Sequence, residues 1–393
     1  MNSSASSSLT TSLSTPLSMS FYGSASGIVE QFIRALGKKF QAEMDALQID
    51  LDLSCSELLP LWKSELGHII RGFNAKSHST ADRTSLFSQF LLLLSSTRAL
   101  DGRSFDISTS HPVLLGHTKI RAGAYHLAVH PDGIELDLIE ADFIHAQRFV
   151  KKSGLLTFLE SDSNAAFIDV SGVALGIVAD DYWADFDSYQ ALDGRSMESM
   201  RLFSDAARRA LEILFDVDAA YGLWVACVVR YLIMMKTTCG DRVNKSRSIL
   251  FRFGGIEINP DVDDTEIMEL LVHECSHQYY HMLSLMHPLH RDVSTLHYSA
   301  ATESQRPMER LLIAYHAQVN ISIFLDRVFD SVAPSQKSSI NRLTNIGIHK
   351  LNSLNSQLRR HAEAGLSEHG LELYKTLEKA ARAHNFIAKG EIC

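Results

Sequence analysis

Leu270-Leu271-Val272-His273-Glu274-Cys275-Ser276-His277-Gln278 is an H-E-x-x-H match inside a segment that reads as helix. Two histidines four residues apart lie about 40° apart around a helix of roughly 3.6 residues per turn, so both imidazoles can approach one metal ion from the same side. Glu274 projects beside them. Upstream, Ile267, Leu270 and Leu271 supply an apolar stripe, and Asp263, Asp264 and Thr265 are candidate caps. No Pro or Gly interrupts the segment as far as Met286. A solvated helix with two incidental histidines is the bland alternative, and it fits poorly with Leu270, Leu271 and Val272 flanking them.

The composition excludes several classes. At 393 residues, 46% hydrophobic and 21% charged, the chain is an ordinary globular one, long enough for one large domain or two. Its net charge of −9, with no dense Lys/Arg run, argues against nucleic acid or an anionic membrane as a partner. Five scattered cysteines (Cys55, Cys227, Cys239, Cys275, Cys393) with no C-x-x-C pair argue against a disulfide framework and a cysteine-based zinc site. A cytoplasmic protein is expected. Residues 1–20, rich in Ser and Thr, lack the basic and apolar regions of a secretory signal and are expected to form a disordered tail. The longest apolar run, Trp224 to Met235, is short and carries Arg230, far from the ~20 residues of a membrane span.

Working outward from the motif, the periodicity predicts an α+β fold that is predominantly helical, with a small antiparallel sheet beside the metal-binding helix. Residues 21–110 are expected to be helical. Apolar positions recur at helical spacing from Gly27 to about Ile49, and further helices are predicted over Ser56–Phe73 and Thr80 to about Leu100. Residues 111–195 are expected to be β-rich, with a hairpin made from Lys119–Val129 and Gly133–Leu138 around His130-Pro131-Asp132-Gly133. His111, His117, His126, His130 and His145 read as surface or core residues. The catalytic region is expected over 196–393: a helix from about Met197 to Phe215, a buried strand over Trp224–Met235, a second strand made of Ser248–Phe253 and Gly255–Asn259 with a Gly-Gly bulge between them, and then the motif helix. An extended peptide could be held along such a sheet by edge-strand hydrogen bonds. Met286 to Ser304 reads as irregular, Arg306-Pro307 as the start of a helix to about Phe329, and 338–385 as helical with a break between Gly365 and Gly370.

Two imidazoles leave a site incomplete, because catalytic zinc and non-haem iron both use a third protein ligand. The helix after Pro307 offers two candidates. His316 sits among Leu312, Tyr315 and Val319, and Glu309 lies seven residues earlier on nearly the same face. His281, His287, His290 and His297 read as loop residues or substrate contacts.

The stretch Leu271-Val272-His273-Glu274-Cys275-Ser276-His277, followed by Tyr298-Ser299-Ala300, Arg306-Pro307 and Leu311-Leu312, resembles the H-E-x-x-H peptide-modification family. Members of that family occur with ribosomally made, post-translationally modified peptides and have been described as 2-oxoglutarate-dependent peptide β-hydroxylases. The likeness is strongest from about residue 249 to 330. It implies Fe(II) held by His273, His277 and His316, 2-oxoglutarate as co-substrate with its distal carboxylate on Arg306, and hydroxylation of a side-chain β-carbon in a peptide. The chain departs from the family in two places. Cys275-Ser276 stands where members often have Phe-Gln, and a family histidine falls at Ile313, one turn before His316. The competing reading is a zinc metallopeptidase with Glu274 as general base and His316 or Glu309 as third ligand. Oligomeric state leaves no signature in the sequence.

Overall fold

The computed structural model describes residues 3–16, 20–74, 80–110, 113–115, 118–139, 146–152, 155–158, 165–171, 173–179, 194–235, 245–250, 252–291, 295–299 and 304–387. The expectations for His111, His117, His145, Ala300, Cys239 and Cys393 lie outside these residues. In chain order the elements are helices α1 (Ser3–Ser14), α2 (Phe21–Lys39), α3 (Gln41–Ala46), α4 (Cys55–Leu58), α5 (Ser64–Asn74) and α6 (Thr80–Leu94), then strands β1 (Ser104–Thr109), β2 (Val113–Leu115), β3 (Thr118–Ile120), β4 (Gly123–Val129), β5 (Gly133–Leu138), β6 (Ala146–Lys152), β7 (Leu155–Phe158), β8 (Ala165–Val170) and β9 (Val173–Ala179). They continue with α7 (Gly194–Val217), α8 (Ala219–Val228), β10 (Tyr231–Met234), β11 (Ser246–Arg247), β12 (Gly255–Ile258), α9 (Asp264–Met286), β13 (Leu296–Ser299), β14 (Ser304–Pro307), α10 (Met308–Val328), α11 (Pro334–Gly365) and α12 (Glu368–Ala383). The fold is α+β and mostly helical, as the periodicity implied. Among the described residues, no helix is long and apolar enough to cross a membrane.

The chain divides into two compact units, each assembled from separated stretches of the sequence. One comprises Met1–Ala25, Arg209–Ala226 and Val262–Cys393; the other comprises Ser26–Arg208 and Cys227–Asp261.

The second unit holds both larger sheets. In the antiparallel sheet β1-β4-β5-β6-β7, β1 alternates strictly, with Phe105, Ile107 and Thr109 buried. Helix α6 packs on β1, and its hydroxyls Ser88 Oγ and Ser85 Oγ accept from the N–H groups of Ser108 and Ser110 at 3.0 Å each. The expected hairpin is β4–β5, closed by the mutual backbone bonds of His130 and Gly133. Gly133 is needed for close approach: a Cβ there would lie 2.1 Å from the Phe149 carbonyl oxygen. The other sheet, β11-β12-β10-β9-β8, is mixed, because β10 runs parallel to both β9 and β12. Strands buried on both faces read as continuous apolar runs, and β12 is buried at every position. That sameness explains one correction. Trp224–Met235 was expected to be a single strand, but the chain is helical through Val228 and only Tyr231–Met234 pairs. A run that is apolar on every face apart from Arg230 carries no period that separates a buried helix from a buried strand. Likewise the described residues 248–250, 252 and 253 form no strand, and β11 covers only Ser246–Arg247.

The first unit is helical apart from the β13–β14 ribbon, which forms where irregular chain was expected, pairing His297 with Arg306 and Tyr298 with Gln305. Helix α9 packs against α10, and α10 against α11 and α12. The segment expected to be a disordered tail is instead helical over Ser3–Ser14 and packs on α9 and α12 with Thr10, Leu13 and Ser14 fully buried. Ser and Thr are indifferent helix formers, so this helix depends on tertiary contact. The carbonyl of Ser14, which has no partner within the helix, accepts from His316 Nε2 at 2.8 Å and Asn320 Nδ2 at 2.9 Å.

Candidate metal centre

The site is built from one turn of α9. Asp263 caps that helix, its side chain accepting from the Glu266 N–H at 2.8 Å, and Asp264 and Glu266 place negative charge at its positive end. Arg209 grips Asp264 with two donors, at 2.7 and 3.0 Å. The rotation of α9 about its axis is fixed from behind. Tyr279 stacks on Trp224 at 4.6 Å and donates its hydroxyl to the Trp224 carbonyl at 3.0 Å, and Cys275 Sγ donates to the same oxygen at 3.5 Å. Phe21 meets the Tyr279 ring edge-on at 6.3 Å. With those side chains committed to the core, His273 and His277 emerge together on another face, half-buried, while Glu274 between them is 2% exposed.

The two rings meet at 4.6 Å and 83°. One ligand atom from each of His273, Glu274 and His277 lies within 4.8 Å of the others. Both histidines are half-buried, and burial lowers the pKa of His273; Glu269 partly opposes this and Lys350 adds to it. Burial holds His277 well below the usual imidazole range, with the charges of His273, His281, His316 and Arg310 adding to the effect. Both imidazoles are therefore neutral at pH 7, the form that offers a lone pair to a metal. His277 Nδ1 is buried with no hydrogen-bond partner among the described residues. Two neutral imidazoles and a carboxylate, converging on one small volume, form a donor set that can hold a metal ion.

Of the other residues singled out in the sequence, none belongs to this cluster. His316 is fully buried with its Nε2 on the Ser14 carbonyl and its ring in a T-shaped contact with Trp224. Burial pushes its pKa down to about 4 against the pull of nearby carbonyls of Ser14, Ser276 and Leu13. A carbonyl only accepts, so Nε2 carries the single proton of this neutral ring. Glu309 is half-buried at the start of α10, where its charge acts on Tyr280. Arg306 lies in β14 opposite His297 and donates from Nε to Ser304 Oγ at 3.2 Å.

Sequence reasoning missed Tyr280 and Arg310, and it read His281 as a loop residue or substrate contact, whereas His281 lies within α9 and is buried. Tyr280 and His281 lie three and four residues beyond His277, the spacing that shares a helical face, and that spacing was available as a signal. Both are buried, and burial pushes His281 down to about 4. Arg310 could not be placed from sequence, since only the packing of α10 on α9 brings its charge to bear on His277, His281 and Tyr280. In comparisons with known proteins, no family model and no curated protein matches this chain.

Proposed function

We propose that this protein is an Fe(II)- and 2-oxoglutarate-dependent oxygenase that hydroxylates a side-chain β-carbon in a peptide. The observation that carries the reading is the convergence of His273, Glu274 and His277 within 4.8 Å. Two histidines and one carboxylate are the donor types of the non-haem iron oxygenases. The sequence resemblance supplies the co-substrate and the peptide. His273 and His277 hold the ion through neutral nitrogens, and Glu274 provides the anionic donor. This last role replaces the one expected of His316, whose Nε2 is committed to Ser14. When bound, iron supplies the oxygen chemistry that amino-acid side chains lack. The protein contributes a preset orientation through the anchoring of α9 on Trp224, and an apolar surround from Leu270, Leu271 and Val272, all nearly or fully buried.

A second reading is favoured by the same carboxylate. A buried Glu beside two metal-binding histidines is also the general base of a zinc peptidase. The two are separated by loading the purified chain with iron under anaerobic conditions, adding 2-oxoglutarate and oxygen, and measuring succinate, with zinc-loaded protein tested for peptide cleavage in parallel. Succinate from the iron form alone supports the oxygenase. Peptide cleavage by the zinc form without succinate from the iron form overturns it.

A further inference from the structure

The second unit holds a cavity of about 160 Å³ walled by separated stretches of chain: Glu57 in α4, Ser96, Thr97 and Arg98 after α6, and Lys151 in β6. Most of its polar groups are already matched within the protein. The Glu57 carboxylate accepts from the Ser54 N–H at 3.1 Å, the Ser54 hydroxyl at 2.7 Å and the Arg98 N–H at 3.0 Å. Ser96 Oγ donates to the Leu93 carbonyl at 2.9 Å and accepts from Nζ of the fully buried Lys63 at 3.1 Å. Thr97 Oγ1 donates to the Leu94 carbonyl at 2.7 Å and accepts from the Ala99 N–H at 3.2 Å. Lys151 uses two of its three protons, on Asp101 Oδ1 at 2.5 Å and on the Thr97 carbonyl at 3.1 Å. Two kinds of donor are left at the cavity. One is the third proton of Lys151, and the other is the guanidinium of Arg98, which has no hydrogen-bond or ion-pair partner among the described residues.

We propose that this cavity binds a small monovalent oxyanion, the carboxylate of a short-chain acid, between Arg98 and Lys151. An unmatched guanidinium meets a carboxylate with two parallel N–H groups, and the remaining ammonium proton adds a third donor. Glu57 sets the valence, because its charge in the same wall repels a doubly charged oxyanion about twice as strongly as a singly charged one. Volume sets the size. An apolar cavity of about 150 Å³ holds one benzene, so this one takes on the order of six heavy atoms, with Pro60 and Pro131 as apolar surface for an alkyl group. The backbone around Arg98 is tied from two sides, by Glu57 at its own N–H and by Lys151 at the Thr97 carbonyl, which leaves little ordering for a ligand to impose. The cavity shares no described residue with the metal cluster, so the inference stands apart from the reading of that cluster. A free acid and the carboxylate end of a peptide offer the same contacts.

The test is ligand-observed NMR on the full chain, titrating propionate, propionamide and trialanine, with inorganic sulfate as a competitor. Propionate binds the wild type saturably, and propionamide binds at least about 10-fold more weakly. Arg98→Ala weakens propionate binding by at least about 10-fold, Arg98→Lys restores part of it, and Arg98→Glu abolishes it. The Arg98 side chain is exposed and has no partner to lose, so these variants keep the circular dichroism of the wild type. His273→Ala, in the metal cluster, leaves propionate binding unchanged. Trialanine binding with the same dependence on Arg98 makes the ligand a chain end, its exclusion makes the ligand a free acid, and the site stands in either case. The site is overturned by a wild type that does not bind propionate saturably, by equal binding of acid and amide, or by binding that survives Arg98→Ala or falls in His273→Ala. Sulfate that binds more tightly than propionate overturns the monovalent assignment.

Discussion

Replacing His316 by Ala distinguishes a structural histidine from a metal ligand. In the structure the ring is fully buried, gives its one proton to the Ser14 carbonyl at 2.8 Å and meets the Trp224 ring in a T-shaped contact at 6.3 Å. Truncation removes one buried hydrogen bond, worth about 1 kcal/mol net, and leaves a cavity whose cost in large-to-small core changes is about 2–4 kcal/mol. Asn320 still donates to the same carbonyl at 2.9 Å, so α1 loses one of its two side-chain anchors rather than both. We expect a loss of about 3 kcal/mol, felt first as faster amide hydrogen exchange in Ser3–Ser14 and in the middle of α10, with the metal stoichiometry unchanged. The assay is hydrogen exchange read by mass spectrometry on metal-loaded protein, paired with metal analysis. Loss of the metal with unaltered exchange would refute the argument, return His316 to the ligand set and remove Glu274 from it.

His273→Ala and His277→Ala should each lose metal while keeping the helical circular dichroism of the wild type, because α9 is anchored through Trp224 and not through these rings; either mutant at full metal content would move the site elsewhere. Glu274→Gln separates its two proposed roles. As a donor its loss lowers metal content, whereas as a hydrolytic base it leaves zinc in place and cuts peptide cleavage by about 100-fold, and the second outcome favours the peptidase. Stability should fall on acidification. The buried His316 and His281 have folded pKa values near 4 against 6.5 when exposed, so below about pH 6.5 the unfolded chain binds more protons than the folded one. Their neutral burial is fully tolerated above that pH, and the loss grows until about pH 4; urea midpoints that stay flat from pH 7 to 4.5 would contradict this.

What could be read from the sequence was local. The motif helix was legible because Asp263, the uninterrupted run to Met286 and the i, i+4 histidines all act within a few turns, and the structure places its start and end there. The same holds for α10 after Pro307, the β4–β5 hairpin around Pro131-Asp132, and the break between α11 and α12. The cluster of His273, Glu274 and His277 was legible for the same reason, since five consecutive residues of one helix fix their own geometry. The rest depended on contacts between distant residues. A Ser/Thr-rich start has no intrinsic helical preference, and Ser3–Ser14 folds only because α9, α12, His316 and Asn320 receive it, the last two from some 300 residues away. The apolar run after Trp224 divides into helix and strand because Tyr231–Met234 finds parallel partners on both sides, in β9 and β12. Periodicity reports which face a residue buries, but not which neighbour it is buried against. The partner of His316 and the packing of α10 on α9 are both facts of the second kind, and only the tertiary structure decides them.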